Sequence, residues 1–263
     1  MNAPERIELP DMQSRIDMRA IAIDAVGVSG LRYPLTIQSH GAPFPAVATL
    51  AMSVGLPATA KGTHMSRFVE VLEAQAGPLD ATHFRVLLER TLHRLDAQSG
   101  SIDMRFTMFV TKRAPVSGAQ SVLDHDVRWL GSIDADGRYA FRVKVCVPAT
   151  SLCPCSKEIS DYGAHNQRSL ITIDAEVSAD LCAEELIRIA ERSASCEVYG
   201  LLKRVDEKYV TERAYDNPRF VEDLVREVAG ALAADPRING FTVEAENFES
   251  IHNHSAFARI SRE

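Results

Sequence analysis

The sequence predicts an α+β protein made of two consecutive units, each ordered strand–strand–helix–helix–strand–strand. Three observations lead there. Apolar and polar residues alternate over several stretches, the period of strands with one buried face. In the middle of each half stand two stretches whose apolar residues recur every three to four positions, the period of amphipathic helices. No low-complexity linker divides the halves, so the units are expected to pack together rather than hang apart. The boundary is expected near Asp134–Arg138, giving a tail at 1–20, a first unit at 21–134 and a second at 135–263.

In chain order, residues 20–54 are rich in Ile, Val and Leu, with turn signals at Gly27–Gly30 and Gly41–Pro45, and predict two strands. Thr63 is a candidate N-cap for a short helix through Phe68, Val69, Val71 and Leu72, ended by Gly77-Pro78. Asp80 or Thr82 is placed to cap a second helix through Phe84, Leu87, Leu88, Leu92 and Leu95, closed by Gly100. Strands follow at Ile102–Val110 and Val122–Ile133, before the Asp136-Gly137 turn. The second half repeats the order. Phe141, Val143, Val145 and Val147 alternate as a strand, and Leu170–Val177 forms the next. Asp180 is placed to cap a helix whose stripe is Leu186, Ile187, Ile189 and Ala190. A loop is expected around Tyr209–Tyr215. Asn217-Pro218 reads as a helix start, followed by the stripe Phe220, Val221, Leu224, Val225, Val228 and Leu232. Phe241–Ala245 and Ser255–Ile260 complete the strands.

Composition narrows the function. The 263 residues are 46% hydrophobic and 25% charged, enough for a large core and too ordinary for disorder or a collagen-like chain. Lys and Arg number 29 against 36 Asp and Glu; a net charge of −7 argues against a general nucleic-acid or anionic-membrane binder. A local basic pocket for one anionic ligand stays open. Five cysteines, an odd number, do not read as a disulfide framework. The first twenty residues lack the apolar segment of a secretory signal, and no apolar run is long enough to span a bilayer. The expectation is a reduced, cytoplasmic protein, in which closely spaced cysteines point to metal or catalysis.

The sharpest feature is Ser151-Leu152-Cys153-Pro154-Cys155-Ser156-Lys157. Pro154 biases Cys153 to an extended backbone, and in an extended segment residues two apart face the same way, so both sulfurs are expected to address one site. Two buried, inert cysteines are the plainer alternative. His165 follows in Tyr162-Gly163-Ala164-His165-Asn166-Gln167-Arg168, a polar, glycine-containing loop. A lone loop histidine is ordinarily a solvated residue; beside C-P-C it becomes a candidate ligand. One cysteine and one histidine supply two ligands of a zinc-like site, with a carboxylate as third and water as fourth. Glu207 and Glu222 are carboxylates near the right elements, though residues so placed are ordinarily solvated surface carboxylates. His252 and His254 share a face if their segment is extended. Lys61, His64 and Arg67 lie at a helix start and suit a phosphate, a weak signal on its own.

Several patterns are missing. There is no HExxH, no H-x-E at any of the eight histidines, no P-C-x-x-C, no P-loop and no GxGxxG before a helix. These absences argue against zincin proteases, zinc nucleobase deaminases and the common nucleotide folds.

The stretch from Ser151 to Lys157, together with Tyr162–Ser169, resembles the prokaryotic type IB GTP cyclohydrolase family. Lys61-Gly62-Thr63-His64-Met65-Ser66-Arg67-Phe68, Asn217-Pro218-Arg219-Phe220-Val221-Glu222-Asp223 and Ile251-His252-Asn253-His254 fit it too, so the likeness covers almost the whole chain. The resemblance implies a tandem tunnelling fold (T-fold) of two ββααββ units, antiparallel sheets with helices on one face, assembling as barrels in a homotetramer with active sites between subunits. It implies conversion of GTP and water to 7,8-dihydroneopterin triphosphate and formate by metal-activated water attack at guanine C8, the first step of folate biosynthesis. It implies one divalent metal per site (zinc, manganese or iron) held by Cys153, His165 and Glu207, with Glu222 anchoring guanine. Cys155, His252 and His254 become acid/base candidates, and Lys61, His64 and Arg67 triphosphate candidates. Competing readings are a related T-fold nitrile reductase using a nicotinamide cofactor, and a non-catalytic zinc-binding module. Neither nucleic acid nor membrane is an expected partner.

Overall fold

The computed structural model describes residues 11, 13, 15–178 and 180–263. Most of the expected tail therefore lies outside the described residues, but its end is tied down: Ile16 bridges Ala60, and Lys61 N–H donates to Arg15 O at 3.2 Å.

The elements run β1 (Ile23–Ile37), β2 (Phe44–Leu56), α1 (Ser66–Glu73), α2 (Ala81–Leu95), β3 (Gly100–Arg113) and β4 (Gln120–Ile133). The second half runs β5 (Tyr139–Leu152), α3 (Pro154–Ile159), β6 (Asn166–Val177), α4 (Ala183–Ser193), β7 (Cys196–Glu197), α5 (Arg204–Asp216), α6 (Val221–Ala234), β8 (Ile238–Asn247) and β9 (Ala256–Arg262). The strands form one antiparallel sheet in the order β1-β2-β3-β4-β5-β6-β8-β9, with β7 added beside β5. The first half thus has the expected ββααββ order, and the second has it with α3, β7 and α5 inserted. The expected boundary falls in the β4–β5 hairpin, where Gly137 takes a positive φ of 78° and its N–H closes onto Asp134 O. The sheet is unbroken there: β4 and β5 pair from Asp126↔Cys146 to Ile133↔Tyr139.

Strand alternation sorts the sheet into two faces. Leu50, Met104, Trp129, Val143, Ala175 and Phe241 form one continuous row across six strands, all buried. Helices α1, α2, α4 and α6 cover this apolar face and complete the core with Phe68, Leu72, Phe84, Leu88, Leu186, Ala190, Leu224 and Val228. One position along lies the polar row Thr49, Arg105, Arg128, Lys144, Asp174, Thr242 and Ser261. At the centre, Phe84 of α2 packs against Trp129 and Phe141, each with ring centroids 5.7 Å away. Gly131 makes room for it, since a Cβ there would lie 3.0 Å from the Phe84 ring.

Several local expectations are corrected. Gly27–Gly30 is not a turn but an irregular stretch inside β1, with a register shift between Val28 and Leu31 and Gly30 at φ 68°. Thr63 does not cap α1; the N-cap is Met65, without a side-chain bond. Asp80 does cap α2, accepting His83 N–H at 2.7 Å, but Asp96 in the left-handed region ends it rather than Gly100. Cys182, not Asp180, sits at the N-cap of α4. The loop expected at Tyr209–Tyr215 is helical, the greater part of α5. Asn217 ends α5 instead of starting α6, and Phe220 N–H is closed by Asp223 Oδ2 at 3.0 Å.

Candidate active site

The end of β5, the start of β6 and the end of β8 meet at one margin of the sheet. Leu152 is the last residue of β5. Pro154 follows at the start of α3 and holds Cys153 extended, at φ −68° and ψ 118°. The Cys153 thiol thereby occupies the N-cap, 3.5 Å from Ser156 N–H. Backbone bonds then fasten the two motifs together. Cys153 N–H donates to His165 O at 3.1 Å. Ser156 Oγ donates to Cys153 O at 3.1 Å and accepts His165 N–H at 3.2 Å. Gly163 turns the chain back at φ 109°, a conformation L side chains rarely adopt.

The expectation that both sulfurs face one way is corrected. Cys153 is extended, but Cys155 lies in the first turn of α3, where residues two apart are rotated by about 200°. Cys155 is exposed.

His165 is set by its neighbours. Its Nδ1 lies 2.8 Å from Gln167 Oε1 and 3.9 Å from Glu249 Oε2, and the His165 and Glu249 side chains are each only 12% exposed. Beneath them is a closed polar floor. Ser169 Oγ donates to Asn247 Oδ1 at 2.7 Å and lies 2.6 Å from Ser151 Oγ, all three residues buried. Gln167 and Glu249 carry no signal as isolated residues; strand register and the β8 exit bring them to the histidine.

The helix pair α5 and α6 is sewn to the same margin. Arg219 N–H donates to Leu152 O at 3.0 Å, and Asn217 Nδ2 donates to Ala194 O and Ser195 O. Lys157 Nζ donates to Tyr215 O at 2.5 Å and lies over the Tyr215 ring. Glu207 and Glu222 stand in the first turns of α5 and α6, and both are exposed. Beside Glu207, Asp206 is buried and accepts the N–H groups of Val116, Ser117 and Lys203 at 2.8 Å each.

His252 and His254 lie in the loop that leaves β8 past Glu249. Their rings stack at 5.1 Å, and both are exposed. Lys61 and His64 are in the β2–α1 connection, where His64 Nε2 lies 3.3 Å from Asp11 Oδ2, and Arg67 is in the first turn of α1. Among the described residues no hydrogen bond or ion pair links these three to Cys153 or His165. Nor does any group of three or more His, Cys, Asp or Glu stand close enough to hold a metal ion. The structure thus joins Cys153 to His165 and does not gather Glu207 onto them.

A thiol sulfur and a ring nitrogen with its lone pair free are donors suited to zinc, and imidazole with carboxylate also serves manganese or iron. Cys153 and His165 supply side chains of the donor types such an ion takes, on backbones bonded to each other. Two of the other thiols, Cys182 and Cys196, are poor donors. Burial, with Glu197 beside it, pushes the Cys196 thiol up to about 11, and burial at the start of α4 pushes the Cys182 thiol up to about 12.

An antiparallel sheet of this order, with helices on one face, is an arrangement shared with urate oxidase. A highly active mutant of Bacillus sp. TB-90 urate oxidase is similar with a TM-score of 0.51, over 91% of this chain and 99% of that one; at 9% identity this is likeness of fold alone. The residues at the margin narrow the class. Residues 9–258 match the model of the type I GTP cyclohydrolase FolE2 family, and the chain belongs to that family. It is 57% identical over 255 residues to the GTP cyclohydrolase FolE2 of Ralstonia nicotianae, covering 97% of this chain and 95% of that protein. It is 56% identical over 261 residues to GTP cyclohydrolase FolE2 1 of Dechloromonas aromatica, covering 99% and 98%.

Proposed function

We propose that this chain is a GTP cyclohydrolase of folate biosynthesis, of the type IB subgroup, converting GTP and water to 7,8-dihydroneopterin triphosphate and formate. Family membership over nearly the full chain supports the activity. The observation that carries the reading of the site is the fastening of Cys153 to His165 at the sheet margin.

In this reading Cys153, His165 and Glu207 hold one divalent ion, zinc, manganese or iron. When bound, the ion supplies water acidified to a pKa of about 7 at the electrophilic C8 of guanine. Glu222 binds the base: its two carboxylate oxygens match the parallel donors N1–H and the 2-amino group. Ring opening requires a proton at N9 as its bond to C8 breaks, and release of formate requires one at N7. Cys155, His252 and His254 are assigned to these transfers; all three are exposed, and the loop of the two histidines begins beside His165. Lys61, His64 and Arg67 are assigned to the triphosphate. Glu207 and Glu222 face outward at helix starts, which suits a site completed by a second subunit. We extend the proposal accordingly to a homotetramer of barrels, with 21–134 and 135–263 as its two T-fold units and β1 and β9 as the sheet edges open for pairing. We further assign the enzyme to the cytoplasm; no described helix is long and apolar enough to cross a membrane.

Incubation with GTP and manganese, zinc or iron should release formate and a fluorescent pterin. Cys153→Ala should abolish product, and Glu222→Ala should weaken GTP binding. No product with any divalent metal would overturn the reading.

A further inference from the structure

The bonds around the His165 ring point to a residue whose part in the site the family motifs do not specify. Nδ1 has two neighbours, Gln167 Oε1 at 2.8 Å and Glu249 Oε2 at 3.9 Å. A neutral imidazole carries its proton on one nitrogen and a lone pair on the other, and the bond made by one nitrogen selects the state of the other. The amide of Gln167 offers an oxygen acceptor to Nδ1. Glu249 Oε2 is too distant at 3.9 Å for a hydrogen bond, so the bond at Nδ1 is the one to Gln167. Gln167 has little freedom to turn away: it is 7% exposed, in β6 opposite Ser151 of β5, above the Ser151–Ser169–Asn247 floor. The backbone of His165 is fixed independently by Cys153 and Ser156. Backbone position and ring state are therefore set by different residues.

We infer that Gln167 is a positioning residue that holds His165 in the Nδ1–H tautomer and so presents the Nε2 lone pair to the metal. This rests on the reading of His165 as a ligand. It makes Gln167 necessary for ion affinity although it touches neither ion nor substrate.

The test has one readout that needs no metal. In metal-free protein labelled with nitrogen-15, two-bond couplings from the imidazole carbon-bound protons identify the protonated nitrogen of His165. The wild type is expected to show Nδ1–H; Gln167→Leu, of similar size, is expected to show mixed or Nε2–H tautomers with an otherwise conserved amide spectrum. Titration of the same proteins with zinc against a chromophoric chelator should show affinity falling roughly 10–100-fold in Gln167→Leu, the range for loss of a group that orients a ligand. Gln167→Glu, which keeps the acceptor, should retain wild-type affinity or better. Nε2–H in the wild type overturns the inference whatever the affinities. So does unchanged zinc affinity in Gln167→Leu, or equal loss in Gln167→Glu and Gln167→Leu. Unchanged affinity in His165→Ala removes His165 as a ligand and the inference with it, a pattern distinct from failure at Gln167 alone.

Discussion

Phe84 is the side chain through which α2 grips the centre of the sheet, and its replacement tests whether the core is packed as tightly as the distances indicate. The ring is fully buried. It meets Trp129 edge-on at 5.7 Å and Phe141 at 5.7 Å, and it fills the space left by Gly131. Phe84→Ala loses the transfer energy of the ring and leaves a cavity, together about 3–5 kcal/mol. Two aromatic contacts, each about 0.5–1.5 kcal/mol beyond area alone, put the expectation near 4 kcal/mol. Phe84→Leu keeps most of the volume and should lose about 1.5 kcal/mol. Urea denaturation reports both through the fluorescence of Trp129, the one tryptophan in the chain and itself part of the cluster. Because Phe141 belongs to β5, the variant should shift one transition for both halves rather than release the first half alone. A loss below about 1.5 kcal/mol for Phe84→Ala would refute the packing argument, as that is no more than a volume-conserving change costs. Separate transitions would refute the coupling.

Other outcomes are equally specific. Asp80→Ala removes the cap accepting His83 N–H and should lower stability by about 1 kcal/mol in the same urea assay. Lys112 bonds Glu191 at 2.6 Å with both side chains largely buried, so Lys112→Met should cost about 3–5 kcal/mol by stranding the carboxylate, and adding Glu191→Leu should recover most of it. Burial alone would raise the Asp103 carboxyl, but hydrogen bonds from Arg128 and Arg105 outweigh it and hold it below the usual range. A carboxyl depressed in the folded state adds stability above its unfolded pKa of about 3.9, and that stability is lost as pH falls through the folded value. The urea midpoint of Asp103→Asn should therefore change less between pH 5 and low pH (about 2) than that of the wild type.

Much of the frame was legible because it is written in apolar period. Each expected strand exists, since alternating residues such as Phe141, Val143 and Val145 must point to the helix-covered face. The cap at Asp80 and the turn at Asp136-Gly137 were legible as local chemistry. Helix α5 was not, for a physical reason: of its residues only Asp206 and Ala214 are buried, so there is no apolar stripe to read. Asn217-Pro218 misled because its side chain has a tertiary task, tethering the carbonyls of Ala194 and Ser195, which no local signal announces. At the site, the motif spacing anticipated that Cys153 and His165 come together. It did not anticipate that Pro154 starts a helix and turns Cys155 outward, nor that Gln167 and Glu249 border the histidine.

The sparse burial of α5 has a consequence for motion. A segment held by a few polar anchors and almost no apolar contact opens at a smaller free energy than the sheet it rests on. Amide hydrogens of Lys208–Arg213 should exchange with solvent well before those of Val143–Val147, which lie in the middle of the sheet. Cys153 and His165 instead hang from the ends of β5 and β6, which stay paired from Arg142↔Glu176 to Leu152↔Asn166. The carboxylate proposed as third ligand would therefore stand on a helix able to open while the strands that carry the proposed cysteine and histidine ligands stay paired.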